Sequence, residues 1–320
     1  MGSRLIGLGH IYRALTVAKE LSENNIIFVI DKSNEILLNN LISNKIKTYS
    51  FIKSKIIKGI ISLKPDLVIN DILSTTKKDV IELKNKNIKV VSFEDLGNGS
   101  EHTDLTINEI YDKPLNNNLN TLWGTDYFFL RNEFETVNQN KFNKNVKNVL
   151  ISFGGSDQHN LSLKSYNLIK DTCKKQKIRI HIVTGPAYMF LKSIRDETFN
   201  DDNVEIHNST GIISKIMAQC DIAISSNGRT IFELAHMNIP TIVIPQHKRE
   251  STHSFSSSKN GFILLRVYNK DFKDEEISKN FKKLTKNYLL RYKMYKKMMN
   301  YNFILNKYKA INKINELLKK

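Results

Sequence analysis

Short unbroken apolar runs alternate along the chain with longer stretches whose apolar positions recur every three or four residues. Ile26-Ile27-Phe28-Val29-Ile30 carries no polar residue, as a strand covered on both faces requires. Leu67-Val68-Ile69-Asn70 and Ile88-Lys89-Val90-Val91-Ser92-Phe93 repeat the pattern, and segments such as Ile11 to Leu21 have helical periodicity. The alternation pauses over a polar stretch at about 109–145, which holds Asn116 to Asn118 and the Asn- and Lys-rich Asn138 to Asn145. It restarts at Val149-Leu150-Ile151-Ser152-Phe153, with further strands expected at 178–183, 204–206, 222–224 and 241–244. Strand–helix alternation of this kind predicts doubly wound, parallel α/β sheets.

The pattern divides the chain into a Rossmann-like domain at 1–136, a second one at 146–265 reached through a linker near 136–146, and a helical tail at 266–320. A length of 320 residues suits two domains. Only Met1 to Leu5 precede the turn Ile6-Gly7-Leu8-Gly9, so the first strand of the first domain is expected to be missing.

Composition adds mostly exclusions. With 40% hydrophobic and 25% charged residues the chain is an ordinary globular protein. Two cysteines, Cys173 and Cys220, support neither a disulfide framework nor a cysteine metal cluster. There is no apolar run of about 20 residues and no secretory leader, so a soluble, cytoplasmic protein without a transmembrane segment is expected. Sixteen Lys and Arg against five Asp and Glu fall within 261–320, where most of the net charge of +17 therefore sits. Tyr288, Tyr292, Tyr295, Tyr301 and Tyr308 lie among these lysines at near-helical spacing with Leu289, Met294, Met298 and Leu305. That spacing predicts a packed amphipathic face with a solvated basic side, and no specific nucleic-acid binding. Weak contact with anionic membrane surfaces is compatible with the charge.

Ligands of parallel α/β sheets bind where strands end and helices begin, so the candidate chemistry is read from those loops. In Gly7-Leu8-Gly9-His10-Ile11-Tyr12-Arg13 the glycines let backbone approach an anion, and His10 is placed to take a proton near neutral pH. A histidine that merely caps the helix fits the same string. Phe153-Gly154-Gly155-Ser156-Asp157 offers main-chain N–H groups to a diphosphate, or a tight turn with Ser156 or Asp157 as helix cap. In Ser225-Ser226-Asn227-Gly228-Arg229-Thr230-Ile231-Phe232-Glu233, Gly228 and Thr230 suit phosphates and Glu233 suits the two hydroxyls of a ribose. An ordinary capped helix with Glu233 exposed is the competing reading. Pro245-Gln246-His247-Lys248-Arg249-Glu250 follows the next strand, and Asp71, Glu94 and Asp95 end strands of the first domain, as sugar ligands or as turn formers. The remaining histidines, His102, His159, His181, His207, His236, His247 and His253, show no metal-ligand spacing along the sequence.

Taken in order, Gly-x-Gly-His-x-x-Arg, Ser-Phe-Glu-Asp, Gly-Gly-Ser-Asp and Asn-Gly-Arg-Thr-x-x-Glu resemble the two-Rossmann-domain GT-B nucleotide-sugar enzymes over about residues 5–265. The pattern is similar to the UDP-2,4-diacetamido-2,4,6-trideoxy-β-L-altropyranose hydrolases of pseudaminic acid synthesis, and the second domain resembles MurG-type transferases. The resemblance implies hydrolysis of a UDP-sugar in nonulosonic (sialic-type) acid or surface-glycan precursor synthesis. His10 would be the general base for water attack at the anomeric carbon. It also implies Gly7, Gly9, Arg13, Asp71 and Asp95 as substrate contacts of the first domain. In the second domain it implies Gly154, Gly155, Ser156, Asp157, Ser226, Asn227, Gly228, Arg229 and Thr230 about the diphosphate, Glu233 at the ribose, and Gln246 and Glu250 beside them. Neither a metal nor a cofactor is implied. The chain departs from the hydrolases at Ile72 and Leu73, where they tend to carry an aromatic, at Phe232, where one branch uses Asn, and in its longer tail. A GT-B glycosyltransferase, or a non-catalytic nucleotide-sugar-binding module partnering or fused to a cytidylyltransferase that makes CMP-nonulosonic acids, are the alternatives.

Overall fold

The structure, a computed structural model, describes residues 9–35, 46–112, 114–116, 118–209 and 211–319. The chain forms two compact units, one of Gly9–Arg131 with Phe303–Lys320 and one of Asn132–Asn302.

The first unit opens with helix α1 (Gly9–Glu20), followed by strand β1 (Ile27–Asp31) and strand β2 (Lys47–Phe51). These two strands pair in parallel, Ile27 opposite Lys47. Helix α2 (Ile56–Ser62), β3 (Leu67–Asn70), α3 (Lys77–Lys84), β4 (Lys89–Phe93), β5 (Leu105–Asn108) and β6 (Thr121–Trp123) follow. The last four strands make a second parallel sheet in the order β3-β4-β5-β6. Val90, Val91, Phe93 and Ile107 are wholly buried, as strands covered on both faces demand. The apolar stripe of α1 explains its place, because Val17 and Leu21 pack on Val91, Phe93, Leu105 and Ile107. Among the described residues the two sheets share no strand pairing. A cavity of about 440 Å³ is lined from both, by Ile27 and Val29 of β1 and Val68 and Ile69 of β3, together with Ile11 and Val17 of α1.

The second unit carries β7 (Asn148–Ser152), α4 (Leu161–Gln176), β8 (Arg179–Thr184), α5 (Leu191–Thr198), β9 (Val204–Asn208) and α6 (Ile213–Met217). It continues through β10 (Ile222–Ser225), α7 (Thr230–His236), β11 (Thr241–Val243) and β12 (Phe262–Leu264). All six strands are parallel, in the order β12-β11-β10-β7-β8-β9. The order reverses between β7 and β10, which makes the ends of these two strands the switch point where a doubly wound sheet leaves a crevice.

The basic segment 266–320 does not form one body. Helices α8 (Glu275–Lys286) and α9 (Tyr288–Met298) cover the second unit, sinking Ile277, Phe281, Leu284 and Met294 into its core. Arg291, buried, donates to the carbonyls of Leu284, Thr285 and Lys144 and so ties α9 to the segment before β7. Tyr292 and Tyr295 pack on Phe142 with ring centroids 5.1 and 5.5 Å away. Helix α10 (Asn306–Leu318) instead belongs to the first unit, where Ala310, Ile311 and Ile314 join the α1 core. Its buried Lys307 meets Glu20 at 2.7 Å. No helix among the described residues is long and apolar enough to cross a membrane.

Strands β2, β5, β6 and β12 escape the sequence pattern. Strand β2 reads Lys-Thr-Tyr-Ser-Phe, and β5 reads Leu-Thr-Ile-Asn with every residue buried. The Thr106 hydroxyl of β5 is satisfied inside the fold by Thr103, at 2.8 Å. A hydroxyl with a partner can sit in a core, and a rule based on apolar runs misses it.

Candidate functional site

The first unit gathers a charged cluster around the start of α1. Gly9 opens the helix and Gly7 lies outside the described residues. His10 and Arg13 sit one helical turn apart, so both side chains leave the same face. That face meets the carboxyl ends of β3, β4 and β5, which deliver Asp71, Glu94 and Glu109. His10 Nδ1 lies 2.6 Å from Asp71 Oδ1. Arg13 donates from Nε to Asp71 Oδ2 at 2.8 Å and from Nη1 to Glu109 Oε1 at 2.9 Å, and its Nη1 also reaches Glu94. The guanidinium further lies over the Phe93 ring at 5.0 Å. Burial alone would raise the Asp71 carboxyl, but Arg13 and His10 outweigh it and hold the group well below the usual carboxylate range. Asp71 is therefore an anion, an acceptor only, and its Oδ1 faces His10 Nδ1, which Arg13 Nη2 also approaches at 3.0 Å. A carboxylate at Nδ1 leaves the other ring nitrogen, Nε2, turned away from the pair, an arrangement that suits a proton acceptor.

Glu94 has φ of +51°, a left-handed conformation that costs a non-glycine residue on the order of 1 kcal/mol or more. Its N–H bond to Ile107 O at 3.0 Å and its carboxylate contact with Arg13 hold it there. Asp95 has a different job. Its Oδ1 accepts from Thr75 N at 3.0 Å and Gly97 N at 2.9 Å, and Oδ2 accepts from the Thr75 hydroxyl. It clamps two loops together and does not join the His10 cluster. Glu109 is the residue sequence reasoning missed. Its only signal was a position just after the inconspicuous strand β5.

In the second unit the loops after β7, β10 and β11 converge on the switch point. Gly154 has φ of +77°, which a side chain would strain. A Cβ on Gly185 would come within 2.5 Å of the Gly155 backbone, so the loop after β8 packs directly against Gly155. Gln246 donates from Nε2 to Phe153 O at 3.0 Å and joins the first and third loops. Asn227 donates to the carbonyls of Glu250 and His253 at 2.7 and 3.0 Å. Glu250 accepts from Gln246 N at 2.7 Å and Asn227 N at 3.2 Å, while burial pushes its carboxyl up to about 7. Asp157 also has a structural task. Its two carboxylate oxygens each accept at 2.8 Å, from Leu161 N and Ser162 N, and so occupy the start of α4. Amides of that helix are thereby spent on Asp157. What the loops still present is the backbone of Gly154, Gly155 and Ser156, and Ser226 beside Gly228. Arg229 and Thr230 are half-buried at the entry to α7, with Glu233 buried in its first turn. Asn227 Oδ1 and Gln246 Oε1 are buried without a hydrogen-bond partner among the described residues. Such acceptors are uncommon in folded chains and suit a polar ligand at this crevice.

Residues 148–314 match the glycosyltransferase family 28 C-terminal domain. An uncharacterized protein of Methanocaldococcus jannaschii, MJ1062, is 30% identical over 267 residues, which is 77% of this chain and 54% of that protein. The chain thus spans about half the length of that relative. The spore coat polysaccharide biosynthesis protein SpsG of Bacillus subtilis is 23% identical over 91% of this chain and 88% of its own. The crystal structure of MurG from Acinetobacter baumannii superposes with a TM-score of 0.64 over 96% of each chain at 14% identity. The parallel α/β fold is shared with that structure, and with more than half of its length matched the chain belongs to the glycosyltransferase family 28 C-terminal domain family.

Proposed function

We propose that the protein is a UDP-sugar hydrolase of surface-glycan or nonulosonic acid precursor synthesis, acting in the cytoplasm. The observation that carries the reading is the Asp71–His10 pair, 2.6 Å apart, which gives the chain a histidine oriented as a proton acceptor. Water activated by His10 Nε2 attacks the anomeric carbon, the glycosidic C–O bond breaks with inversion, and UDP leaves with the bond's electron pair. Arg13 positions this base through Asp71. The Gly154–Ser156 backbone and the Ser226–Thr230 loop bind the diphosphate through N–H and hydroxyl donors, and Glu233 accepts the ribose hydroxyls. Gly9 and Asp71 complete the sugar end. A cytidylyltransferase, as partner or fusion, would act later in the same synthesis, on the nonulosonic acid built from the released sugar. Asp95 and Asp157 support the site by bracing its loops.

Membership of a transferase family favours a second reading, in which an acceptor hydroxyl replaces water. One assay separates the two. Incubation with a panel of UDP-sugars and no acceptor releases UDP and free sugar if the chain is a hydrolase. Turnover only after an acceptor is added establishes the transferase.

A further inference from the structure

The edge of the second unit's sheet holds a group of side chains that the proposed reaction does not use. His181 lies on β8, and Glu205 and His207 lie on the edge strand β9. The parallel register sets His181 opposite Glu205 and Val183 opposite His207. Strand alternation then puts His181, Glu205 and His207 on one face. His181 Nδ1 is 3.3 Å from His207 Nε2 and 3.5 Å from Glu205 Oε2, and His207 Nε2 is 3.6 Å from Glu205 Oε1. The two imidazole rings lie nearly parallel, with an interplanar angle of 17°.

These separations suit a metal ion. Tetrahedral Zn²⁺ with bonds of about 2.0–2.1 Å keeps neighbouring donor atoms about 3.3–3.4 Å apart. The second ring nitrogen of His181 supplies an independent sign. Its Nε2 lies 3.2 Å from Asn148 Oδ1 on the adjacent strand β7. With the proton held on Nε2 by that acceptor, Nδ1 is left as a lone pair turned toward His207 and Glu205. Metal-binding histidines are commonly oriented in this way by a hydrogen bond from their other nitrogen. The side chain of His181 is 3% exposed and that of Glu205 50% exposed, so the site has a closed inner wall and an open outer side.

We propose that His181, His207 and Glu205 bind one divalent transition-metal ion, Zn²⁺ by preference, which staples the edge strand β9 to β8 and leaves a fourth position to water. Two imidazoles with one carboxylate are the donor set of such ions and not of Ca²⁺ or Mg²⁺. The sequence hides the site because its ligands come from two strands and are neighbours only through the sheet.

Titration of the full chain with Zn²⁺ by calorimetry tests this, alongside His207→Ala and Glu205→Gln. Both variants alter side chains at the accessible side of the site and are checked for unchanged circular dichroism. The wild type is expected to bind one Zn²⁺ per chain and to melt at a higher temperature with it, and each variant to bind at least about tenfold more weakly. Co²⁺ at the same site should give the visible absorption of a tetrahedral ion. No Zn²⁺ binding by the wild type, or equal binding by wild type and both variants, overturns the proposal.

Discussion

The arginine of the first glycine motif is as informative as the histidine beside it. Arg13 is buried among Asp71, Glu94 and Glu109, and a guanidinium can serve three carboxylates only because it has five donors in a fixed plane. Lysine would meet one or two of them and leave a buried anion unpaired. Asp71 is the link between this frame and the base. Asp71→Asn keeps the shape but can present its amide to His10, which frees the wrong tautomer. We expect kcat to fall at least about a hundredfold with KM little changed. A variant with wild-type kcat would show that Asp71 does not orient the base. At the other site, Glu250 is a buried carboxyl whose folded value of about 7 exceeds the ordinary 4.5. Between those two pH values the folded chain binds more protons than the unfolded one, so stability falls as pH rises and levels off above 7. Glu250→Gln should remove that slope in thermal melts taken from pH 4.5 to 8. An unchanged slope would place the penalty elsewhere. His10, Arg13 and Asp71 were legible because a strand end and a helix start are marked in the sequence, whereas Glu109 follows a strand whose polar residues conceal it.

Elements explain which parts of the site could be read. The strands flanking the switch point, β7 and β10, are apolar runs ended by glycine- and serine-rich loops, so the sequence itself marks their loops. What the loops do in detail did not. Asp157 spends both oxygens on the start of α4, and Asn227 holds the third loop, tasks that depend on partners distant in sequence. The first unit shows the reverse case. Its two sheets face a shared apolar cavity of about 440 Å³, lined by β1 on one side and β3 on the other.

The tail is divided between the two units, residues up to Asn302 in the second and Phe303 onward in the first. Helices α8 and α9 close the second unit and α10 closes the first, so lysines that give the chain its charge are the solvated faces of packed helices. Charge alone said little about function, since the same residues anchor the fold through their apolar neighbours. On the proposed reading the second unit holds the nucleotide and His10 activates water. Steady-state kinetics of UDP release for His10→Asn and Glu233→Ala, with UDP affinity measured in parallel by calorimetry, tests it most directly. His10→Asn is expected to lose about 10²–10⁴ in kcat while binding UDP as the wild type does, and Glu233→Ala to bind UDP about 10-fold or more weakly. Wild-type turnover in His10→Asn, or undiminished UDP affinity in Glu233→Ala, would contradict it.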